Sequence, residues 1–259
     1  MTRATQRAFV PEPDIHYPTT DGKRKPLTYL IEALDYYFQN ERHVYVSGDL
    51  LIYYEKNHPQ KSVAPDVFVV LGIPKRNRDI YQTWVEGKAP DVVIEIASPT
   101  TYHKDEQIKP ELYQRLGVKE YFQYDPTGDY LPLPLSGRKL DDQGQYQTLA
   151  TQTLTDGTLI IASDILRLEL RLEDDELRVF DPNTKEYLLT YYEEADARRL
   201  AEKQAMLERK RKEWAQREAL LERQKAEQAQ QQAEQEHQRS QKLAEQLRAL
   251  GFNPDDICE

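Results

Sequence analysis

The chain has 259 residues, of which 39% are hydrophobic and 31% charged, and a formal net charge of -10. That length holds one substantial domain plus an appendage, and that hydrophobic share fills a core in part of the chain only. A single cysteine, Cys258, excludes an internal disulfide framework and fits a reducing compartment, while the acidic balance excludes the broadly basic surface usual for nucleic-acid binders.

The first segment, MTRATQRAFVPEPDIHYP, lacks the apolar stretch of a signal peptide, and nowhere do about 18 consecutive apolar residues occur. The expectation is a cytoplasmic protein without a membrane span. LTYLIEALDYYFQ (27–39) places Leu27, Leu30, Ile31, Leu34 and Phe38 at helical spacing, an amphipathic helix. HVYVSGDLLIYYE (43–55) reads as two short strands about a Gly48-Asp49 turn, and PDVFVVLG (65–72) as a buried strand. PDVVIEI (90–96) is a second buried strand. EQIKPELYQRLG (106–117) follows as a helix capped by Gly117, and KEYFQYDP (119–126) as a strand stopped by Asp125-Pro126. From Gly128 to Thr190, turn signals at Asp142-Gln143-Gly144, Asp156-Gly157 and Asp181-Pro182-Asn183 separate short β runs such as LRLEL and LRVFDP. The fold class is α/β: a mixed sheet flanked by helices, with extra β strands and a long C-terminal helix.

The composition changes beyond Tyr192. No Pro or Gly occurs until Gly251, and strong helix formers dominate. The expected organisation is therefore a domain over residues 1–192 and a helical tail over 193–259. Leu200, Leu207, Trp214 and Leu221 stand seven apart, with only alanines and polar residues at the second seam position. A Gln-rich stretch (225–241) breaks the ladder before Leu243, Leu247 and Leu250 resume it. Two readings stand: a coiled coil through residues 193–250, with a second copy or another protein as partner, or a solvated single helix held by pairs such as Glu208/Lys212 and Glu213/Arg217. Before Glu193 there are 22 basic and 30 acidic residues, a balance of -8. A DNA contact would have to come from local clusters such as KRNR (75–78), which otherwise reads as a solvated loop.

Glu95 is the anomaly. A carboxylate amid the β-branched residues of a buried strand costs several kcal/mol unless it is paired, protonated or coordinating a cation. Asp66, at the start of the other buried strand, comes alongside if the two strands are neighbours. Two carboxylates with carbonyls and waters suit Mg²⁺ or Mn²⁺, and Lys109, fourteen residues past Glu95, could hold the attacking water or stabilise developing charge. The other reading makes Asp66 and Asp91 caps of strand entrances and gives Glu95 a lysine or arginine partner. The shared-cation reading takes no basic residue as equally placed to pair with Glu95. On it, Glu95→Gln leaves the metal-free melting temperature unchanged or higher, by removing repulsion between the acids.

VYVSGDLLIYYE, SVAPDVFVVLG and PDVVIEIASPTTYHKDEQIKPELYQRLGVKEYFQYDP together resemble the Uma2 family of restriction-endonuclease-like proteins, within the PD-(D/E)XK nuclease superfamily, over roughly residues 16–192. The resemblance implies a nuclease fold, a DNA substrate, Mg²⁺ or Mn²⁺ held by Asp66 and Glu95, and a lysine that assists water. The position two past the second acid is Ala97, so the resemblance points to Lys109 on the following helix. Pro110 places Lys109 at the mouth of that helix, with Lys104 as the alternative lysine. Tyr113 matches a family tyrosine and by spacing reads as core, Asp105 reads as a helix cap, and Glu32 is a candidate additional metal ligand. The expected function is a Mg²⁺-dependent DNA endonuclease. The alternative is a binding or scaffold protein that keeps the fold and uses its tail for interaction.

Overall fold

The structure is a computed structural model that describes residues 21–99 and 102–250, without the side chains of Asp21, Lys104 and Asp105. Helix α1 (Asp21–Tyr37) begins six residues before the apolar stripe at Leu27, with Pro26 inside it. Its buried face is Leu30, Ala33 and Leu34. Proline removes one main-chain bond, to the carbonyl four residues back, close to the helix end where few such bonds exist. Strands β1 (Val44–Ser47) and β2 (Ile52–Tyr53) flank Gly48-Asp49 and then part into different sheets.

There follow β3 (Ser62–Val63), β4 (Val67–Leu71), β5 (Tyr81–Gln82), the single-turn α2 (Thr83–Glu86) and β6 (Val92–Ile96). Helices α3 (Tyr102–Gln107) and α4 (Lys109–Leu116) lead to β7 (Glu120–Tyr124), β8 (Leu135–Leu140) and β9 (Tyr146–Thr148). Gly117 ends α4 in the left-handed region at φ 77°, the conformation glycine adopts without penalty. The rest is β10 (Gln152–Thr153), β11 (Leu159–Ser163), β12 (Leu168–Glu173), β13 (Glu176–Asp181), β14 (Glu186–Tyr187) and α5 (Tyr191–Ala249).

The principal sheet has the order β1-β4-β6-β7-β8-β9. Its one parallel pair, β6 with β7, is the pair joined by the α3–α4 crossover, as parallel strands require. Alternation along the strands gives the sheet two apolar faces. Val67, Val69, Val92, Ile94 and Phe122 pack with Leu30 and Leu34 of α1 and with Ile161, Leu168 and Leu170 of the antiparallel sheet β10–β14. Phe68, Val70, Val93 and Tyr121 pack on the other side with Leu112 and Tyr113 of α4 and with Ile52 and Tyr81 of the small sheet β3-β2-β5. A strand covered on both faces reads as a continuous apolar run, which is why β4 and β6 stand out in the sequence.

The chain divides after Glu194 into two compact units. Helix α5 opens with a capping box: the Thr190 N–H donates to Glu193 Oε2 at 2.8 Å and the Glu193 N–H to Thr190 Oγ1 at 3.2 Å. It has no buried residue. Ion pairs along it include Arg198–Glu202, Arg209–Glu213 and Arg223–Glu227, each from Arg to Glu four residues on, and Arg199–Asp196, so Glu213 is engaged by Arg209. The predicted stop at Gly251 and Cys258 lie outside the described residues. No helix among the described residues is long and apolar enough to cross a membrane.

Candidate active site

β4 and β6 run antiparallel with Val67 opposite Ile94, and the same register continued by one residue sets Asp66 opposite Glu95. Period-two alternation turns both acids to the α4 side with Phe68 and Val93. The mouth of β4 is fixed from behind. The Asp49 N–H donates to the Pro65 carbonyl at 2.9 Å, and Gly48 lies so close that a Cβ there would be 2.0 Å from the Asp66 carbonyl oxygen. Only glycine permits that approach.

Each carboxylate has one oxygen held by a fixed donor and one facing an ammonium. Asp66 Oδ2 accepts the Ile96 N–H at 2.8 Å, and its Oδ1 meets Lys23 Nζ at 2.7 Å. Glu95 Oε1 accepts the Tyr113 hydroxyl at 2.6 Å, and its Oε2 meets Lys109 Nζ at 2.9 Å. Glu95 is 0% exposed, Lys109 5% and Asp66 6%. Lys109 is the first residue of α4 with Pro110 behind it, so it stands at the helix mouth as the sequence indicates. Tyr113, one turn on, is both core and site: its ring lies 5.2 Å from that of Tyr121 while its hydroxyl reaches Glu95. Gln123, also buried, is opposite Glu95 on β7.

The geometry corrects one expectation. The shared-cation reading took no basic residue as equally placed to pair with Glu95, yet Lys109 pairs with it, as the other reading had it, and Lys23 does the same for Asp66. Each acid thus has an ammonium partner, and on that geometry Glu95→Gln is expected to lower, not raise, the metal-free melting temperature. Lys23 left no signal in the sequence, because DGKRKP (21–26) carries no apolar period from which a helical turn could be read.

The two Pro-Asp steps have different fates. Asp91 accepts the Leu71 N–H at 2.8 Å and pairs with Lys88 at 2.6 Å and Lys119 at 2.9 Å. Burial disfavours its charge, but Lys88, the Leu71 N–H and Lys119 outweigh burial and hold its carboxyl below the usual range. It is the strand-entrance anchor that the sequence offered as one reading. Glu32 does not complete a ligand set: among the described residues, no three His, Cys, Asp or Glu side chains gather where they could hold a metal. The side chains of Lys104 and Asp105 lie outside the described residues.

In the basic cluster at 75–78, Arg78 is turned inward while Arg76 stays exposed, and all three basic side chains have acidic partners. Arg76 and Arg78 pair with Glu86 at 2.9 and 2.8 Å, the Arg78 guanidinium lies 4.2 Å from the centre of the Tyr45 ring, and Lys75 pairs with Asp35 at 2.7 Å. Its charge is spent on holding the loop.

Two carboxylates side by side are hard oxygen donors, and ammonium groups already rest against them, so positive charge is what this cluster accommodates. Mg²⁺ needs only one or two carboxylates because it keeps several waters. Asp66 and Glu95 therefore fit a Mg²⁺ or Mn²⁺ ion, given that an ammonium gives way.

A mixed sheet that brings two acids from neighbouring strands, and a lysine from the next helix, into one buried cluster has the architecture of a restriction-endonuclease-like protein. Comparison with protein families agrees: the model of Uma2, described as "Putative restriction endonuclease", matches residues 14–203, and the chain belongs to that family. Among solved structures it is similar to one described as "a putative nuclease belonging to DUF820 from Anabaena variabilis ATCC 29413", at 16% identity and a TM-score of 0.38, covering 54% of this chain and 76% of that one. No curated protein matches the chain.

Proposed function

We propose that the protein is a divalent-metal-dependent endonuclease that hydrolyses phosphodiester bonds in DNA, with Asp66 and Glu95 as metal ligands and Lys109 as the catalytic lysine. The observation that carries this reading is the convergence of these three side chains, from the entrance of β4, from β6 and from α4, in one buried cluster. A Mg²⁺ or Mn²⁺ ion bound there would polarise the scissile phosphate and lower the pKa of a water. Lys109 supplies positive charge to developing phosphate charge, or holds the water, from a helix end where its reach is fixed. Tyr113 orients Glu95 by its hydroxyl, and the Ile96 N–H orients Asp66. Burial excludes bulk water and strengthens each of these interactions.

A second reading, a catalytically silent binding protein, draws on the same pairs, since Lys23 and Lys109 already satisfy both acids. One experiment separates the two. Full-length protein is incubated with supercoiled plasmid, single-stranded DNA and RNA in Mg²⁺ or Mn²⁺, beside Asp66→Asn, Glu95→Gln and Lys109→Met. Metal-dependent nicking of plasmid that all three substitutions abolish supports the endonuclease. Cleavage confined to RNA or single strands reassigns the substrate, and no metal-dependent cleavage of any kind refutes the nuclease reading.

A further inference from the structure

From the contacts of Asp66 we infer that Lys23 is a resident counter-cation that competes with the divalent metal for this carboxylate, so that its withdrawal sets how readily the site fills. The inference rests on the metal reading above and concerns a residue outside the acid-acid-lysine set.

The two oxygens of Asp66 are not equivalent. Oδ2 is bound by the main-chain N–H of Ile96, within the β4–β6 region, and cannot change partner without disturbing the sheet. Among the described residues, Oδ1 is bound by the Lys23 ammonium, at 2.7 Å. That side chain comes from the first turn of α1, is 12% exposed, and has a four-carbon stem that can swing out without unfolding anything. Lys109 is more deeply set, 6% exposed and fixed at the mouth of a helix whose next turn carries Tyr113. Of the two ammonium groups, Lys23 is the one built to leave.

Charge balance requires a departure. Asp66, Glu95, Lys23 and Lys109 together sum to zero, so a divalent ion added to these four raises their sum by two in a buried place, a costly state. If Lys23 withdraws to water, one excess charge remains, which a single phosphodiester anion cancels. Lys109 then stays beside Glu95 in the filled site, and Lys23 acts as a built-in competitor that lowers affinity for the bare metal.

The test is calorimetric titration of the full-length chain with MnCl₂ and with MgCl₂, in the absence of nucleic acid. Lys23→Met should bind metal about tenfold or more tightly than wild type, the scale of losing one charge-assisted hydrogen bond from the competing state. Lys25→Met, which removes an exposed lysine two residues away, should leave affinity unchanged, and Asp66→Asn should abolish binding in either background. Should Lys23→Met fold poorly, Lys23→Gln makes the same comparison, since it removes the charge and keeps a hydrogen-bond donor. Equal affinity of wild type and the Lys23 variants, with binding still lost in Asp66→Asn, would overturn the competition and leave the metal reading standing. If neither wild type nor the Lys23 variants bind metal, both fall.

Discussion

Glu95→Gln, measured in chelator so that metal plays no part, asks what holds a carboxylate in the centre of β6. Glutamine keeps the shape and can still accept the Tyr113 hydroxyl, but it leaves the Lys109 ammonium, 5% exposed, opposite a neutral amide. Removing one partner of a buried ion pair costs about 3–5 kcal/mol. The retained tyrosine bond and the position of Lys109 at a helix mouth bring the expected loss to about 2–4 kcal/mol. For a unit ending at Glu194 that is a fall in melting temperature of about 5–12 °C. Lys109→Met takes the ammonium from Glu95, which is 0% exposed and keeps the Tyr113 bond, and should cost a similar amount. The double variant removes both charges together and should recover at least about 2 kcal/mol of the summed losses, because an apolar replacement of a buried pair is close to neutral. Urea denaturation followed by far-UV circular dichroism of the four proteins gives the cycle directly. Single variants within about 0.5 kcal/mol of wild type, or a double variant that loses the plain sum, would refute the claim that Lys109 compensates Glu95.

Gly48→Ala should destabilise by at least about 1–3 kcal/mol and weaken any metal-induced rise in melting temperature, because its Cβ would sit 2.0 Å from the Asp66 carbonyl and 2.6 Å from Ile31 Cδ1; an unchanged urea midpoint would contradict the close approach. Two buried acids should give opposite pH dependence. Asp91, held below the usual carboxylate range, contributes stability that is complete above that range and lost as pH falls through its folded pKa, so Asp91→Asn should flatten the acid limb of a midpoint-against-pH curve. Burial raises Glu120 in spite of bonds from Ser163, Ile165 and Asp164, so its contribution is greatest at low pH and is lost as pH rises through its folded pKa; Glu120→Gln should remove that decline, and a parallel curve would contradict it. A chain ending at Glu194 should stay folded, since α5 buries no residue, and should lose the self-association proposed for the Leu200/Leu207/Trp214/Leu221 ladder; sedimentation showing the same oligomeric state with and without the tail would dismiss the ladder as an assembly device.

Much of the frame was legible because burial on two faces writes itself as uninterrupted β-branched runs. β4 and β6 could be placed from VFVVL and VVIEI, and the antiparallel register that sets Asp66 beside Glu95 needs only that they be neighbours. Gly117 marked the end of α4, and Pro110 its mouth. The compensation of the acids was not legible. Lys23 is 43 positions before Asp66 in a stretch without apolar period, and its role depends on α1 extending past Pro26, where local rules argue for a stop. Nor does the string KRNR reveal that Glu86 and Tyr45 will absorb its arginines, since that depends on how the small sheet carries α2 back to β1.

The buried acids of this chain differ in whether their partners can move. Asp125 accepts main-chain N–H groups of Thr127, Gly128, Tyr130 and Leu131, all from the turn it organises, and these outweigh burial to hold its carboxyl low. Glu120 binds the Ser163 hydroxyl and the N–H groups of Asp164 and Ile165, which ties β7 to the turn after β11. Asp91 likewise spends one oxygen on a main-chain N–H while two lysines close around the other contacts. In Asp125 and Glu120, no partner can be exchanged without loosening a turn or a strand. Asp66 has one such anchor and one ammonium on a flexible stem, and Glu95 has a tyrosine anchor and an ammonium at a helix mouth. The anchors preserve the direction of each carboxylate, while on the reading proposed above the ammonium positions are where a different cation would be received. Exchangeable charge held by fixed geometry is the condition for ligand chemistry in a buried site, and among these acids Asp66 meets it most fully.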